Sequence, residues 1–172
     1  KRPEATAEAW DDEGWFHTGD IGEFDADGFL RITDRKKDLL KTSGGKYVAP
    51  QKVENLLKLQ PHISQAVMIG DNRKYCVALI TLDAEETARW GQAHGVPAGD
   101  AAAMAAHPDV QKLIQAEIDS VNKELASWEQ IKYFRILPSD FSTETGELTP
   151  SLKVKRKVVS ERYAPLIDAM YQ

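Results

Sequence analysis

The chain has 172 residues, 42% of them hydrophobic, and a formal net charge of -5 at pH 7, which suffices for one ordinary core and a small appended piece. No run approaches the roughly 18 consecutive apolar residues of a membrane span, and no charged-then-apolar leader opens the sequence, so a cytoplasmic globular protein is expected, with membrane association at most peripheral. A pI near 5.4 argues against a nucleic-acid-binding domain, and Cys76, the only cysteine, excludes an internal disulfide and reads as core.

The chain starts at Lys1 without a methionine, as a segment cut from something longer would. It then runs into Gly14-Trp15-Phe16-His17-Thr18-Gly19-Asp20. Two glycines framing aromatic residues suggest a tight turn that projects the Asp20 carboxylate, which could accept two hydroxyl hydrogen bonds, as a ribose offers, or could merely cap the turn. Ile21 to Phe24 and Phe29 to Thr33 alternate around Asp25-Ala26-Asp27-Gly28, a hairpin signal. Asp25 and Asp27 are too few for a calcium loop, whose distal glutamate is missing.

The run from Thr33 to Tyr47 joins a dense charge cluster to Gly44 and Gly45 and reads as a hinge beside a binding loop. Residues 1–27 carry nine acidic and two basic side chains, whereas residues 31–58 carry eight basic and three acidic. Such a local basic segment in an acidic protein suits a phosphate-bearing small molecule better than a nucleic-acid backbone. Pro50 opens a short helix with Val53, Leu56, Leu57 and Gln60 at helical spacing. Ile63 to Ile69 and Tyr75 to Leu82 form an antiparallel hairpin with its apolar face buried. Asp83 caps a helix over residues 84–94 that ends at Gly95, the alanine-rich stretch 101–106 forms an exposed helical insertion, and a longer helix runs from about Pro108 to Ala126 on the stripe Val110, Leu113, Ile114, Ile118, Val121 and Leu125. Ile131 to Leu137 adds a third strand. Residues 138–149 form a polar, mobile loop that leads to Thr149-Pro150-Ser151-Leu152-Lys153 and then to an amphipathic helix with Val158, Val159, Tyr163, Leu166, Ile167 and Met170 inward. Lys153, at that junction, could neutralise phosphate or carboxylate oxygens, or could belong to a solvated basic run.

Three segments in this order resemble the carboxy-terminal part of the adenylate-forming acyl-CoA synthetase superfamily. Gly14 to Asp20 is similar to its ribose-binding motif, Asp34-Arg35-Lys36-Lys37-Asp38 to its interdomain hinge, and Pro150-Ser151-Leu152-Lys153 to its terminal lysine motif. The paired hinge lysines, the stretch Ser43 to Pro50 and an insertion near 100–128 resemble the long-chain fatty acyl-CoA branch. In that branch Leu152 and Lys37 recur where many relatives carry glycine and aspartate.

The resemblance implies that Asp20 binds the ribose of ATP and of the acyl-adenylate, that Arg35 contacts ribose or phosphate, and that Lys37 is the pivot. Lys153 would bridge the fatty acid carboxylate and the α-phosphate as acyl-AMP and pyrophosphate form. Rotation about the hinge would then withdraw it and bring in the loop Ser43, Gly44, Gly45 and Lys46 to shape the coenzyme A tunnel. ATP and coenzyme A enter as substrates, and magnesium is implied without any visible ligand for it in the chain. No phosphate loop and no stretch able to form an acyl tunnel is found, so the chain alone is not expected to catalyse the overall reaction.

The expected architecture is α+β: a small central antiparallel or mixed sheet flanked by helices, preceded by a β-hairpin remnant of a larger amino-terminal domain. Residues 1–34 would end that domain, residues 34–38 form the hinge and residues 38–172 the mobile domain. Trp10, Trp15 and Phe16 would belong to that remnant and, without their usual neighbours, be exposed, with disorder at the start or crystal and dimer contacts over the apolar surface expected to follow, and the partner is the chain's own amino-terminal domain. The competing reading is a non-catalytic module that binds a nucleotide or an acyl carrier.

Overall fold

Residues 2–96 and 99–172 are described by a computed structural model, and Lys1 lies outside them. The elements run α1 (Pro3–Ala9), β1 (Asp20–Phe24), β2 (Leu30–Arg35), a 3-10 turn (Lys36–Asp38), β3 (Leu40–Lys41), β4 (Tyr47–Val48), α2 (Pro50–Lys58), β5 (Ile63–Ile69), β6 (Cys76–Leu82), α3 (Ala84–Ala93), α4 (Ala101–Ala106), α5 (Pro108–Asn122), β7 (Ile131–Ile136), α6 (Arg156–Arg162) and α7 (Ala164–Ala169). The class is α+β. Its central sheet has the order β5-β6-β7, with β5 and β6 antiparallel and β6 and β7 parallel, so it is mixed.

The expected hairpin of β5 and β6 buries both faces rather than one. Strand pleating sends Ala66, Met68, Cys76, Ala78 and Ile80 into a core with Val53 and Leu57 of α2 and Val110, Ile114 and Ile118 of α5. Val67, Val77 and Leu79 enter a second core with Leu137, Phe141, Leu148, Val159, Ile167 and Met170. The sequence carried this signal: Val77-Ala78-Leu79-Ile80 is continuously apolar, as a strand covered on both sides must be.

Several local departures have physical causes. The loop 138–149, expected to be mobile, is packed, with Phe141, Glu147 and Leu148 buried. Helix α4 is not simply exposed, because Met104 and Ala105 are buried. Helix α5 stops at Asn122, whose side chain donates to the Ile131 carbonyl and accepts from the Ile131 amide at 3.0 and 2.9 Å, ending the helix and starting β7. The final amphipathic helix is two short ones, since Pro165 has no N–H to continue the ladder, and Leu166 faces solvent. Helix α1, which the sequence analysis does not anticipate, buries no residue.

The β1–β2 hairpin forms its own two-stranded sheet. Asp25 closes its turn by accepting from the Asp27 and Phe29 amides at 3.0 and 2.9 Å, a turn-capping use of that carboxylate. Trp10, Trp15 and Phe16 are exposed as expected, and so are Phe24, Phe29, Leu30 and Ile32. Gly70 is required by close approach, since a Cβ there would sit 2.7 Å from the buried Cys76 Sγ. Gly70→Ala should therefore cost about 1–3 kcal/mol through overpacking, lowering Tm by several degrees in a thermal melt. An unchanged Tm would contradict this packing.

Candidate functional site

A polar cleft of about 570 Å³ lies where the 3-10 turn Lys36–Asp38, helix α2 and the Lys153 turn meet, and Arg35, Lys37, Asp38, Glu54, Lys58, Leu152, Lys153 and Arg156 are among its lining residues. Each group reaches it for a local reason. Asp20 and Arg35 are directly opposed in the β1–β2 register, and Arg35 Nε lies 2.9 Å from Asp20 Oδ1. The Asp20 carboxylate thus faces Arg35 across the hairpin, while the Gly19–Asp20 turn is closed by Thr18, whose Oγ1 accepts from the Asp20 amide at 3.1 Å. Gly19 has φ +77°, in the left-handed region that glycine enters freely.

The segment Lys36–Asp38 departs from this turn. The Lys36 amide donates to the Gly19 carbonyl at 2.8 Å, and Lys37 is exposed in the 3-10 turn. Asp34, immediately upstream, is 1% exposed. It accepts from its neighbour Arg35 N at 2.7 Å and, across the 3-10 turn, from Gln51 N at 2.9 Å. Helix α2 has no side-chain cap of its own at Ala49, so Asp34 serves one of its unsatisfied first-turn amides. Lys52 and Glu23, 3.5 Å apart, add a second contact between hairpin and helix.

Lys153 is exposed near the end of a tight loop closed by the Leu148–Val154 bridge. Thr149 ties that loop together: its N–H donates to the Lys153 carbonyl at 2.8 Å, its carbonyl accepts from Leu152 N at 2.8 Å, and its Oγ1 accepts from Lys153 N at 3.0 Å. Leu152 has φ +58°, a left-handed conformation that costs a leucine on the order of 1 kcal/mol. Its side chain is 68% exposed, so neither strain nor position is offset by burial. The loop's base is held by Glu147, buried and bonded to Arg162 and Thr145, with the Tyr163 hydroxyl at 3.3 Å. Burial pushes the Glu147 carboxyl up, but its hydrogen bonds and Arg162 outweigh burial and hold it below the usual range.

The floor of the cleft is a pair that sequence reasoning missed. Glu54 of α2 accepts from Met68 N at 2.7 Å and from Arg156 Nη2 at 2.9 Å, while Arg156 Nη1 donates to the Met68 carbonyl at 2.8 Å. Burial raises the Glu54 carboxyl above its ordinary value, and Arg156 offsets only part of that. The available signal was an acidic residue beside Val53 on the apolar stripe of α2. Arg156 lay hidden in a basic run that reads as solvated surface.

The loop Ser43, Gly44, Gly45 and Lys46 joins β3 to β4 outside the cleft lining and is exposed throughout. Of the two glycines only Gly45 has positive φ, +77°. Thr42 closes the loop by donating N–H to the Lys46 carbonyl at 2.9 Å and accepting from Lys46 N at its Oγ1 at 3.2 Å. Lys46 Nζ lies 4.9 Å from the centre of the Trp128 ring. The structure therefore brings Arg35, Lys37 and Lys153 around one cleft, sets Asp20 behind Arg35 outside its lining, and leaves the glycine loop elsewhere. Magnesium finds no ligand set here: among the described residues no three His, Cys, Asp or Glu cluster to hold a metal, and Asp20 is engaged with Arg35. No described helix is long and apolar enough to cross a membrane.

Residues 37–172 match the family described as AMP-binding enzyme C-terminal domain. The chain is 48% identical over 172 residues to a long-chain-fatty-acid–CoA ligase, FadD15, of Mycobacterium tuberculosis, covering 99% of this chain and 28% of that protein. Human long-chain-fatty-acid–CoA ligase 6 is 38% identical over 174 residues, covering 99% of this chain and 25% of that protein. The adenylation domain of a carboxylic acid reductase from Segniliparus rugosus, solved with AMP and a co-purified carboxylic acid, superposes with a TM-score of 0.74 at 30% identity, covering 99% of this chain and 25% of that one. The chain thus spans little more than a quarter of the length of the relatives it matches.

Arg156→Met should destabilise the domain by about 3 kcal/mol at pH 7, the low end for a broken buried pair because Arg156 is partly exposed. The deficit should shrink at pH 5. A carboxyl whose folded-state pKa is raised favours the protonated fold, so the stability that protonation adds is present at low pH and lost as pH rises through the raised value. Urea unfolding at both pH values reads this, and an equal or larger deficit at pH 5 would contradict it.

Proposed function

From the premise that the chain belongs to the AMP-binding enzyme C-terminal domain family, we propose that it is the mobile carboxy-terminal domain of an ATP-dependent long-chain fatty acid:CoA ligase. Residues 1–34 end the large domain, residues 34–38 are the hinge with Lys37 as pivot, and residues 38–172 are the part that turns. The substrates are a fatty acid, ATP and coenzyme A, the partner is the amino-terminal domain of the same protein, and the setting is cytoplasmic with any membrane contact peripheral.

The observation that carries this reading is the shared cleft of Arg35, Lys37 and Lys153. Asp20 and Arg35 offer a carboxylate for ribose hydroxyls beside a guanidinium for ribose or phosphate oxygens. Lys153, a compact point charge, faces the same space. There it would neutralise the fatty acid carboxylate and the α-phosphate as the carboxylate oxygen attacks phosphorus and pyrophosphate leaves. This is stabilisation of shifting charge, and no proton need move. When bound, magnesium would supply charge neutralisation on the phosphates, held by residues outside this chain.

Thioester formation needs a different lining, since the coenzyme A sulfur must reach the acyl carbonyl. Turning the domain about Lys37 would remove Lys153 and its turn and present the Ser43 to Lys46 loop, whose exposed glycines allow a narrow pantetheine arm to pass close to backbone. On this reading the arrangement with lysine in the cleft and loop outside it would belong to the adenylating half of that cycle. The alternative, a nucleotide-binding module without chemistry, would leave Lys153 with no role in turnover.

In the full-length ligase, Lys153→Ala should reduce pyrophosphate release by two or more orders of magnitude, on the order of an electrostatic donor's worth. Thioester formation from supplied acyl-AMP should largely survive. Equal loss in both half-reactions, or none in either, would sink the proposed division of labour.

A further inference from the structure

Away from the cleft, Arg73 in the β5–β6 turn is gripped by groups nearly a hundred residues later. Its Nη2 lies 2.5 Å from Asp168 Oδ1 of α7, and its guanidinium carbon sits 4.6 Å from the centre of the Tyr171 ring. Tyr171 is itself fixed: its ring stacks on Tyr75 at 5.0 Å with 24° between planes, and its hydroxyl is 3.2 Å from both the Ile69 and Tyr75 carbonyl oxygens. Tyr75 returns a bond, donating its hydroxyl proton to the Met170 carbonyl at 2.8 Å. A carboxylate on one side and an aromatic face on the other leave the guanidinium little freedom.

The other side of the same turn is bonded to the glycine loop. Ser43 N donates to the Arg73 carbonyl at 2.9 Å, Asn72 N donates to the Lys41 carbonyl at 2.8 Å, and Lys41 N donates to Asp71 Oδ1 at 3.1 Å. Asn72 has φ +56°, so the turn holds a conformation that asparagine tolerates and most residues resist. Three hydrogen bonds thus strap β3 and the loop's first residue onto a turn that α7 and Tyr171 hold from behind.

We propose that Arg73, held by Asp168 and Tyr171, is a positioning residue for the Ser43 to Lys46 loop in the coenzyme A step. This rests on the reading of that loop given above and extends it to residues outside every motif in the sequence. A loop with an exposed glycine pair has many accessible conformations, and each one it does not need reduces the fraction competent to bind. Fixing its first residue and the strand before it removes much of that freedom without touching the substrate.

The test uses the full-length ligase with Arg73→Met, which keeps length and apolar contact with Tyr171 but loses the Asp168 pair. Hydrogen exchange at the Ser43 amide should accelerate about tenfold or more. The KM for coenzyme A in thioester formation from supplied acyl-AMP should rise, while pyrophosphate release stays within about twofold of wild type. Arg73→Lys, retaining the charge but not the flat stack, should fall between the two. The proposal is overturned by unchanged Ser43 exchange, by unaltered coenzyme A kinetics despite faster exchange, or by parallel loss in both half-reactions. Gly45→Val in the same protein separates the two claims. If it spares thioester formation, the loop reading itself fails; if it impairs that step while Arg73→Met does not, only the role of Arg73 fails.

Discussion

The cleft depends on a carboxylate that is largely withdrawn from water. Glu54 is buried under α2, and an ionised carboxylate there is tolerated only because Arg156 and the Met68 amide take up its oxygens. Arg156 opens α6 and lies three residues after Lys153. The partner that satisfies Glu54 therefore also fixes where the chain leaves the Lys153 turn. With Glu147 and Arg162 holding the other end, the turn is anchored on both sides and only its exposed tip is free. That is a suitable mounting for a lysine proposed to act through the position of its charge.

A second constraint crosses the proposed hinge. Asp34 is upstream of Lys37, Gln51 is downstream, and the bond between them caps α2. Turning the small domain away from the hairpin would expose that helix end and leave a nearly buried carboxylate short of a partner, a cost in the range of about 1–3 kcal/mol unless new donors replace it. The orientation with Lys153 in the cleft thus carries its own stabilisation. Leu152 adds strain of similar size in the opposite sense, held in a left-handed conformation at the tip that would have to move.

Local signals in the sequence were readable because their physics is local. The Asp25 turn, the Pro50 start of α2, the Asp83 cap and the Gly95 stop all act within a few residues, and each stands where the residues place it. Family motifs likewise identified the chain's kin from short runs. What stayed hidden was long-range: Glu54 to Arg156 spans 102 residues, and Arg73 to Asp168 spans 95. Nothing in the neighbourhood of either arginine marks it as different from solvated surface. The packed loop 138–149 was misread for the same reason, since its polar composition conceals that Phe141 and Leu148 close the second core. The exposed aromatic face of the hairpin, by contrast, agrees with the motif reading, in which those residues are proposed to pack against a larger domain.

The central claim is that Lys153 shares the cleft with Arg35 in one orientation and leaves it in another. The most direct measurement is the distance between spin labels at Ser151, beside the lysine, and Asp27, at the hairpin turn, in the full-length ligase. With a non-hydrolysable acyl-adenylate the distribution should be short and narrow, and adding coenzyme A should shift it to a longer, separate peak. A single unchanged distribution under both conditions would contradict the account.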